Sequence, residues 1–381
     1  MLANDGHEIV IYERFDTPRP VGSGLILQPT GLSVLQDLGL SDAIHSLGSQ
    51  IDRIHGISMP TGKTVLNVNY RVLGENLHGV AVHRAALFEV LYKEVISAGV
   101  EIVTGVEVEN TTVKGTQIQI LTEDGTVFGP FDLVIDASGA SSKLRKHSRY
   151  PTPVRELTYG ALWGSFDWPG SGFDQNALEQ RYVGAHTMIG VLPTGQHSEV
   201  SNDQVAFFWS IKAEDYARWL ENGLDKWKKH VLSIWPETAV ILSQIENMSQ
   251  MQLASYGHST MRQPYGECIV FLGDAAHSTS PQLGQGANMA LLDAWCFATA
   301  LRDNGNVGAS ASRYAAMRRW HVRAFQLSSL ALTPFYQSDS RAVAALRDLL
   351  FDPVSKLPGV RRIVAGLVTG LLAGPPKGIV R

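Results

Sequence analysis

The stretch FLGDAAHSTSPQLGQGANMALLDA, residues 271–294, decides the fold. An apolar strand ends in Gly273-Asp274, small residues turn the corner, Pro281 stiffens a loop, and Gly284 and Gly286 open a helix through Ala287, Asn288 and Leu291. This order sets an acid within reach of the hydroxyls of a sugar-like chain, beside a glycine-lined helix N-terminus whose free N–H groups stabilise negative charge. The combination suits a large anionic or electron-rich cofactor. Taken singly, the pieces have plainer readings: Asp274 as a helix cap, Pro281 as a turn, Gly284-Gln285-Gly286 as an ordinary loop.

Near the start, HEIVIYER (7–14) runs through Ile9, Val10, Ile11 and Tyr12 into Glu13-Arg14 and reads as a buried parallel strand ending in an acid. In dinucleotide-binding units such an acid holds a ribose and follows a glycine-rich turn by about 20 residues. With the acid at position 13, the expectation is that this turn lies outside the chain and that residues 1–6 close the helix after it, Gly6 being the αL cap. The chain alone is then expected to hold a pyrophosphate poorly and to leave Val10 and Ile11 at an open sheet edge. A second strand, Leu133 to Ile135, delivers Asp136, Ser138 and Gly139 to a strand's carboxyl end. Helices are predicted after Pro29-Thr30 and along HRAALFEVLYKEVISAG (83–99), with hairpin turns at Thr61-Gly62 and Asp124-Gly125. Alternating aromatic-rich segments from 151 to 257 suggest a mostly antiparallel sheet. The expected fold class is therefore α/β. A Rossmann-like domain (1–150 and 258–330, its first strand and glycine turn missing) is interleaved with an antiparallel-sheet substrate domain (151–257), to which the hairpin 54–70 could also belong. C-terminal helices (331–381) follow.

A formal net charge of -4 leaves no basic surplus for neutralising phosphates, which argues against nucleic acid as a main partner. The only cysteines, Cys268 and Cys296, stand in apolar surroundings and read as buried, inert thiols in a reducing, cytoplasmic setting. No cluster has metal-ligand spacing, and His277 reads equally as a packing residue or a participant beside Asp274. The apolar run Ile363 to Gly374 falls short of the roughly 20 residues that span a bilayer. It is expected to dock on the core or, with Arg361 and Arg362 at the headgroups, to touch a membrane surface.

Spacing and all, these features resemble the flavoprotein aromatic hydroxylase family, the group of p-hydroxybenzoate hydroxylase and the ubiquinone-pathway hydroxylases. The resemblance runs through Glu13-Arg14, SGLILQP (23–29), His83-Arg84 leading a helix, DASG (136–139), the GDAAH…P…GQGAN block and LTPFYQSDS (332–340), and so covers nearly the whole chain. It implies FAD as cofactor. Glu13, with Arg14 beside it, would take the adenosine ribose, and the backbone of Val108 the adenine. Arg84 would lie along the pyrophosphate and flavin side, and Asp274 at the ribityl and pyrophosphate end. Gly286, Ala287 and Asn288 would present backbone to the isoalloxazine, and Gly24 would let the chain pass the flavin edge.

The implied reaction uses NAD(P)H to reduce FAD and O2 to form a flavin hydroperoxide, whose distal oxygen passes to a small aromatic or polyprenyl-type substrate without a protein nucleophile or a metal. Trp163, Phe208 and Trp209 are candidate substrate walls, or simply core. Tyr159 and His186 are candidates for a base or acceptor beside a phenol. Where most members carry Asp-Gly, this chain has Ser138-Gly139, as in flavin-dependent halogenases and isoprenoid reductases. A same-fold reductase or halogenase, or a truncated product without FAD, stays open as an alternative.

Overall fold

The computed structural model describes residues 1–20, 22–197 and 200–372. Residues 1–6 close a helix-like turn in which the Asp5 N–H donates to the Met1 carbonyl (3.0 Å) and Gly6 takes a φ of +87°. Leu2 anchors this turn against the cluster of Val270, Cys296 and Phe297. The strand Val10–Tyr12 follows, pairs in parallel with Glu101–Val103, and has no second strand neighbour among the described residues. Ile11 is exposed at that edge. A second parallel pair, Val134–Asp136 with Ile269–Phe271, carries Asp136 and the Gly273-Asp274 turn at its carboxyl ends. Ile269, Val270 and Phe271 are all buried: Val270 packs against the helices Gly286–Asn304 and Val307–Tyr336, while Ile269 and Phe271 face Ile118, Leu144 and Met261 on the other side.

The large sheet has seven strands, in the spatial order 252–254, 159–167, 200–212, 187–197, 177–183, 53–58 and 64–69. Every neighbouring pair is antiparallel except Ala177–Val183 with Arg53–Ser58, so the hairpin turning at Thr61-Gly62 extends this sheet. Side chains alternate faces along each strand. Leu162, Phe207 and Trp209 face Trp219, Trp227 and Trp235 of the helical segment beyond the sheet. Trp163, Phe208, Leu192 and Ala206 face the other half of the molecule and the C-terminal helices. Trp209 therefore lines no substrate space: adjacent residues on a strand point to opposite sides, and its side is the far core.

Cys268 also departs from expectation. It is only half-buried, at a turn with a φ of +55°, whereas Cys296 is fully buried and its thiol is pushed up to about 12 by burial. The apolar run from Ile363, described as far as Leu372, turns Ala365 to Thr369 into the core and so docks as a helix.

His321, only 2% exposed on the helix Val307–Tyr336, is held between the Arg318 guanidinium (2.8 Å from Nδ1) and the Gly370 carbonyl (2.9 Å from Nε2). Burial and then Arg318 push its pKa down to about 4. Its folded value lies below the unfolded one, so the stability it contributes is complete above pH 6.5 and is lost as pH falls toward 4, on the order of 3 kcal/mol in all. Urea unfolding at pH 7 and pH 5 should show this loss, and His321→Gln should flatten the slope. The same slope in the variant would clear His321 of responsibility.

Candidate functional site

Asp274 lies in the single turn Gly273–Ala275, its side chain open to solvent above the start of the helix Gly286–Asn304. A Cβ on Gly286 would stand 4.0 Å from its Oδ1. Desolvation by the surrounding protein raises the Asp274 pKa, against the pull of His277, Arg84 and Arg145. The turn is locked from below by Asp293, whose carboxylate accepts from the Gly273 N–H (2.8 Å), His277 Nε2 (2.6 Å) and Arg318 Nε (2.6 Å). Burial alone would raise the Asp293 pKa, but His277 and Arg318 hold it well below the usual carboxylate range. His277 is thus part of this lock.

Two donors missed in the sequence point into the same region. Arg145 is buried, its Nε donating to the Ala275 carbonyl (2.9 Å) and its Nη2 to the carbonyls of Asp274 and Gly139. Its Nη1 has no partner among the described residues. Gln28 is fully buried, and its Oε1 accepts from the Tyr70 hydroxyl (2.8 Å). Its Nε2 also lacks a partner among the described residues, 3.9 Å from where a Cβ on Gly284 would stand. A buried donor left unpaired costs about 1 to 3 kcal/mol, so two of them near the Asp274 turn and the helix start fit a ligand rich in acceptors.

Gly286, Ala287 and Asn288 form the first turn of their helix, where backbone N–H groups have no intrahelical acceptor. The Asn288 side chain does more than its backbone promised. It accepts from the Gln28 N–H (2.7 Å) and donates to the carbonyls of Ile26 (3.0 Å) and Gly284 (3.1 Å), which ties the SGLILQP strand to this helix. Gly31 makes room for it, since a Cβ there would meet Asn288 Oδ1 at 2.2 Å.

Arg84 begins the helix Arg84–Ser97, and its N–H donates to the Ser23 carbonyl (2.7 Å). Its side chain runs across Gly22, where a Cβ would meet Arg84 Cδ at 2.8 Å. The close approach at Gly24 is to the large sheet: a Cβ would stand 2.5 Å from Thr194 Cγ2 and 3.0 Å from Ala206 Cβ. Protein packing by itself already demands a glycine at this position. Farther along, Glu13 accepts from the Phe15 N–H (3.0 Å) and Arg14 lies over the Phe15 ring. The Val106 N–H donates to the Glu13 carbonyl (2.9 Å), which brings Val108 beside the strand end, its side chain turned into the core of Ile118 and Leu144. Asp136 is bonded within its own loop. Its oxygens are taken up by the Ser138 N–H and hydroxyl and by the Ser142 hydroxyl, which shape the loop that delivers Arg145.

On the sheet face toward this region, Trp163 and Phe208 lie 4.5 Å apart between ring centroids. Trp163 Nε1 donates to the Tyr256 hydroxyl (3.1 Å), whose pKa burial raises against the opposing effects of Trp163 and Arg84. The positive charge of Arg84 thus lowers the pKa of both Tyr256 and Asp274, in each case against the larger effect of burial. Tyr256 carries no periodic or motif signal in the sequence. Tyr159 and His186 lie elsewhere: the Tyr159 hydroxyl donates to Asp339 (2.7 Å), which also takes Lys212 (2.7 Å), and His186 bonds Thr187 (2.9 Å). Four residues of strand separate Tyr159 from Trp163, roughly 13 Å.

The family model described as FAD binding domain matches residues 1–325. The chain belongs to that family. This flavoprotein is 25% identical to the FAD-dependent urate hydroxylase of Mycolicibacterium vanbaalenii, over 83% of its own length and 80% of the relative's. It is 24% identical to the 6-hydroxynicotinate 3-monooxygenase of Pseudomonas fluorescens, over 80% and 79%. Klebsiella pneumoniae HpxO, solved with FAD and uric acid, superposes with a TM-score of 0.78 at 19% identity, covering 96% of this chain and 90% of that one. That match shows the fold, the Rossmann-like architecture of the FAD-dependent monooxygenases. The chain is accordingly a flavoenzyme with FAD as its cofactor, and the unpaired donors, helix N-terminus and acid around Asp274 fit that molecule.

Proposed function

We propose that this flavoprotein is a monooxygenase that hydroxylates a small aromatic substrate lying against Trp163, Phe208 and Tyr256, with NAD(P)H as reductant. The observation that supports the reading is the Trp163–Tyr256 hydrogen bond on the sheet face toward the Asp274 turn, near which the buried donors Arg145 Nη1 and Gln28 Nε2 lack partners among the described residues. Arg145 Nη1 and Arg84 would hold the diphosphate of FAD, and Asp274 its ribityl hydroxyls. The N–H groups of Gly286, Ala287 and Asn288, with Gln28 Nε2, would meet the polar edge of the ring. Glu13, Arg14 and the Val108 backbone would meet the adenosine.

Bound FAD supplies the redox chemistry: substrate C–H, O2, NAD(P)H and a proton become C–OH, water and NAD(P)+. The protein's own part is orientation and dryness. Trp163, backed by the buried Phe208 ring tilted 31° to it, would give an apolar wall that keeps water from one face of an aromatic ring. Tyr256 stays protonated, accepts from Trp163, and keeps its own hydrogen for a polar substituent of the substrate.

The test is a panel of urate, 6-hydroxynicotinate and 4-quinolones, followed by NAD(P)H oxidation and by 18O transfer from labelled O2. At least one should stimulate oxidation and carry the label. In Tyr256→Phe, kcat/KM should drop about tenfold, the worth of one hydrogen bond, with flavin content unchanged. Oxidation indifferent to every aromatic, with all oxygen emerging as peroxide, would count against hydroxylation.

A further inference from the structure

The helix Arg341–Ser355 is built inside out. Its charged pair points inward: Arg347 is fully buried, bonded to Asp348 Oδ1 (2.9 and 2.7 Å) and the Phe335 carbonyl (3.0 Å), while Asp348 takes the Ser58 hydroxyl. Its outward side, from Ala345 through Leu346, Leu349, Leu350 and Pro353 to Val354, carries no polar exposed residue, and Leu349 is 61% exposed. A surface helix ordinarily does the reverse. The long helix before it also exposes Leu327 and Leu330 near its end. The only exposed charges between 341 and 363 are Arg341, Lys356, Arg361 and Arg362. The two acids of that stretch are accounted for, Asp348 by Arg347 and Asp352 by Lys356 (2.7 Å).

We infer that this face docks on an anionic lipid surface, the leucines entering the headgroup boundary and Arg341, Arg361 and Arg362 meeting lipid phosphates. Charge decides the occupant. Two copies joined face to face would bring six arginines together with no exposed acid from this stretch to answer them, whereas an anionic bilayer complements both the apolar strip and its rim. No described helix is long and apolar enough to cross a membrane, so the contact is peripheral. Such a surface would hold the enzyme where apolar aromatic molecules accumulate, beyond what the proposed reaction itself requires.

The experiment is sedimentation of the full chain with vesicles of phosphatidylcholine alone or mixed with phosphatidylglycerol, at low and high salt, alongside sedimentation velocity without lipid. The chain should pellet with the anionic vesicles at least tenfold better than with neutral ones, and salt should weaken this. Leu349→Glu/Leu350→Glu should abolish binding while leaving the melting temperature unchanged, since both side chains are exposed. Arg361→Gln/Arg362→Gln should weaken binding to anionic vesicles only. Failure to pellet, unchanged binding by the Glu variant, or a lipid-free dimer that the Glu variant dissolves would each overturn the inference, the last by making the face a self-association surface.

Discussion

Asp293→Ala is expected to cost the folded protein about 3 to 5 kcal/mol, the usual penalty for removing one partner of a buried charge pair. The carboxylate is fully buried and serves three donors at once, Gly273 N–H, His277 and Arg318. Without it, the buried Arg318 guanidinium keeps its charge and loses its counter-ion, and the Gly273 N–H loses its acceptor. The second loss reaches the site, because Gly273 positions Asp274; flavin content should fall with stability. Asp293→Leu combined with Arg318→Met separates the two effects. An apolar pair of similar volume should recover much of the stability, yet Gly273 stays untethered and flavin retention stays poor. The acid dependence has a definite sign. The folded pKa of Asp293 is depressed, so its contribution is present above the ordinary aspartate value near pH 4 and is lost as pH falls below it. Chemical denaturation and flavin absorbance on the same samples measure both. A loss under about 1 kcal/mol in Asp293→Ala would show that the triad does not hold the turn.

Local features of this fold were legible because their causes are local. The strand ending at Gly273-Asp274, the strand ending at Asp136 and the glycine turns at Gly62 and Gly125 follow from apolar runs and from backbone that only glycine adopts easily. The parallel pairing of Ala177–Val183 with Arg53–Ser58 joins segments more than a hundred residues apart, and neither strand's pattern names its partner. Phe208 and Trp209 are neighbours on one strand, and the period of two gives only one of them the face toward the site. Arg145 escaped notice because its acceptors are backbone carbonyls, two of them at the distant turn of Asp274 and Ala275, and carbonyls leave no mark on a sequence. Asp293 did leave one. An acid inside MALLDAWCFA must be buried by the helix around it, and a buried carboxylate requires partners. The same test finds Arg347-Asp348 amid AVAALRDLLF, and there it also marks which side of the helix faces out.

Arg145→Met should lower FAD affinity thirtyfold to a hundredfold, about 2 to 3 kcal/mol for one charge-assisted contact to a diphosphate. The guanidinium is fixed before any ligand arrives, by the carbonyls of Ala275, Asp274 and Gly139, so little side-chain entropy is lost on binding and nearly the whole interaction appears as affinity. Methionine keeps the bulk of the stem but frees those carbonyls, and some stability should go with the flavin. Arg145→Lys keeps the charge without the fork, which cannot serve the turn and the ligand together, so it should fall between wild type and Met. Asp274→Ala would remove the proposed ribityl contacts and leave this scaffold intact; it should weaken flavin binding with no change in melting of the flavin-free protein. Flavin fluorescence titrations of the three variants at two salt concentrations discriminate the roles. An affinity loss in Arg145→Met that shrinks as salt rises marks a contact to phosphate. Undiminished affinity would mean that the unpaired Nη1 faces something other than FAD.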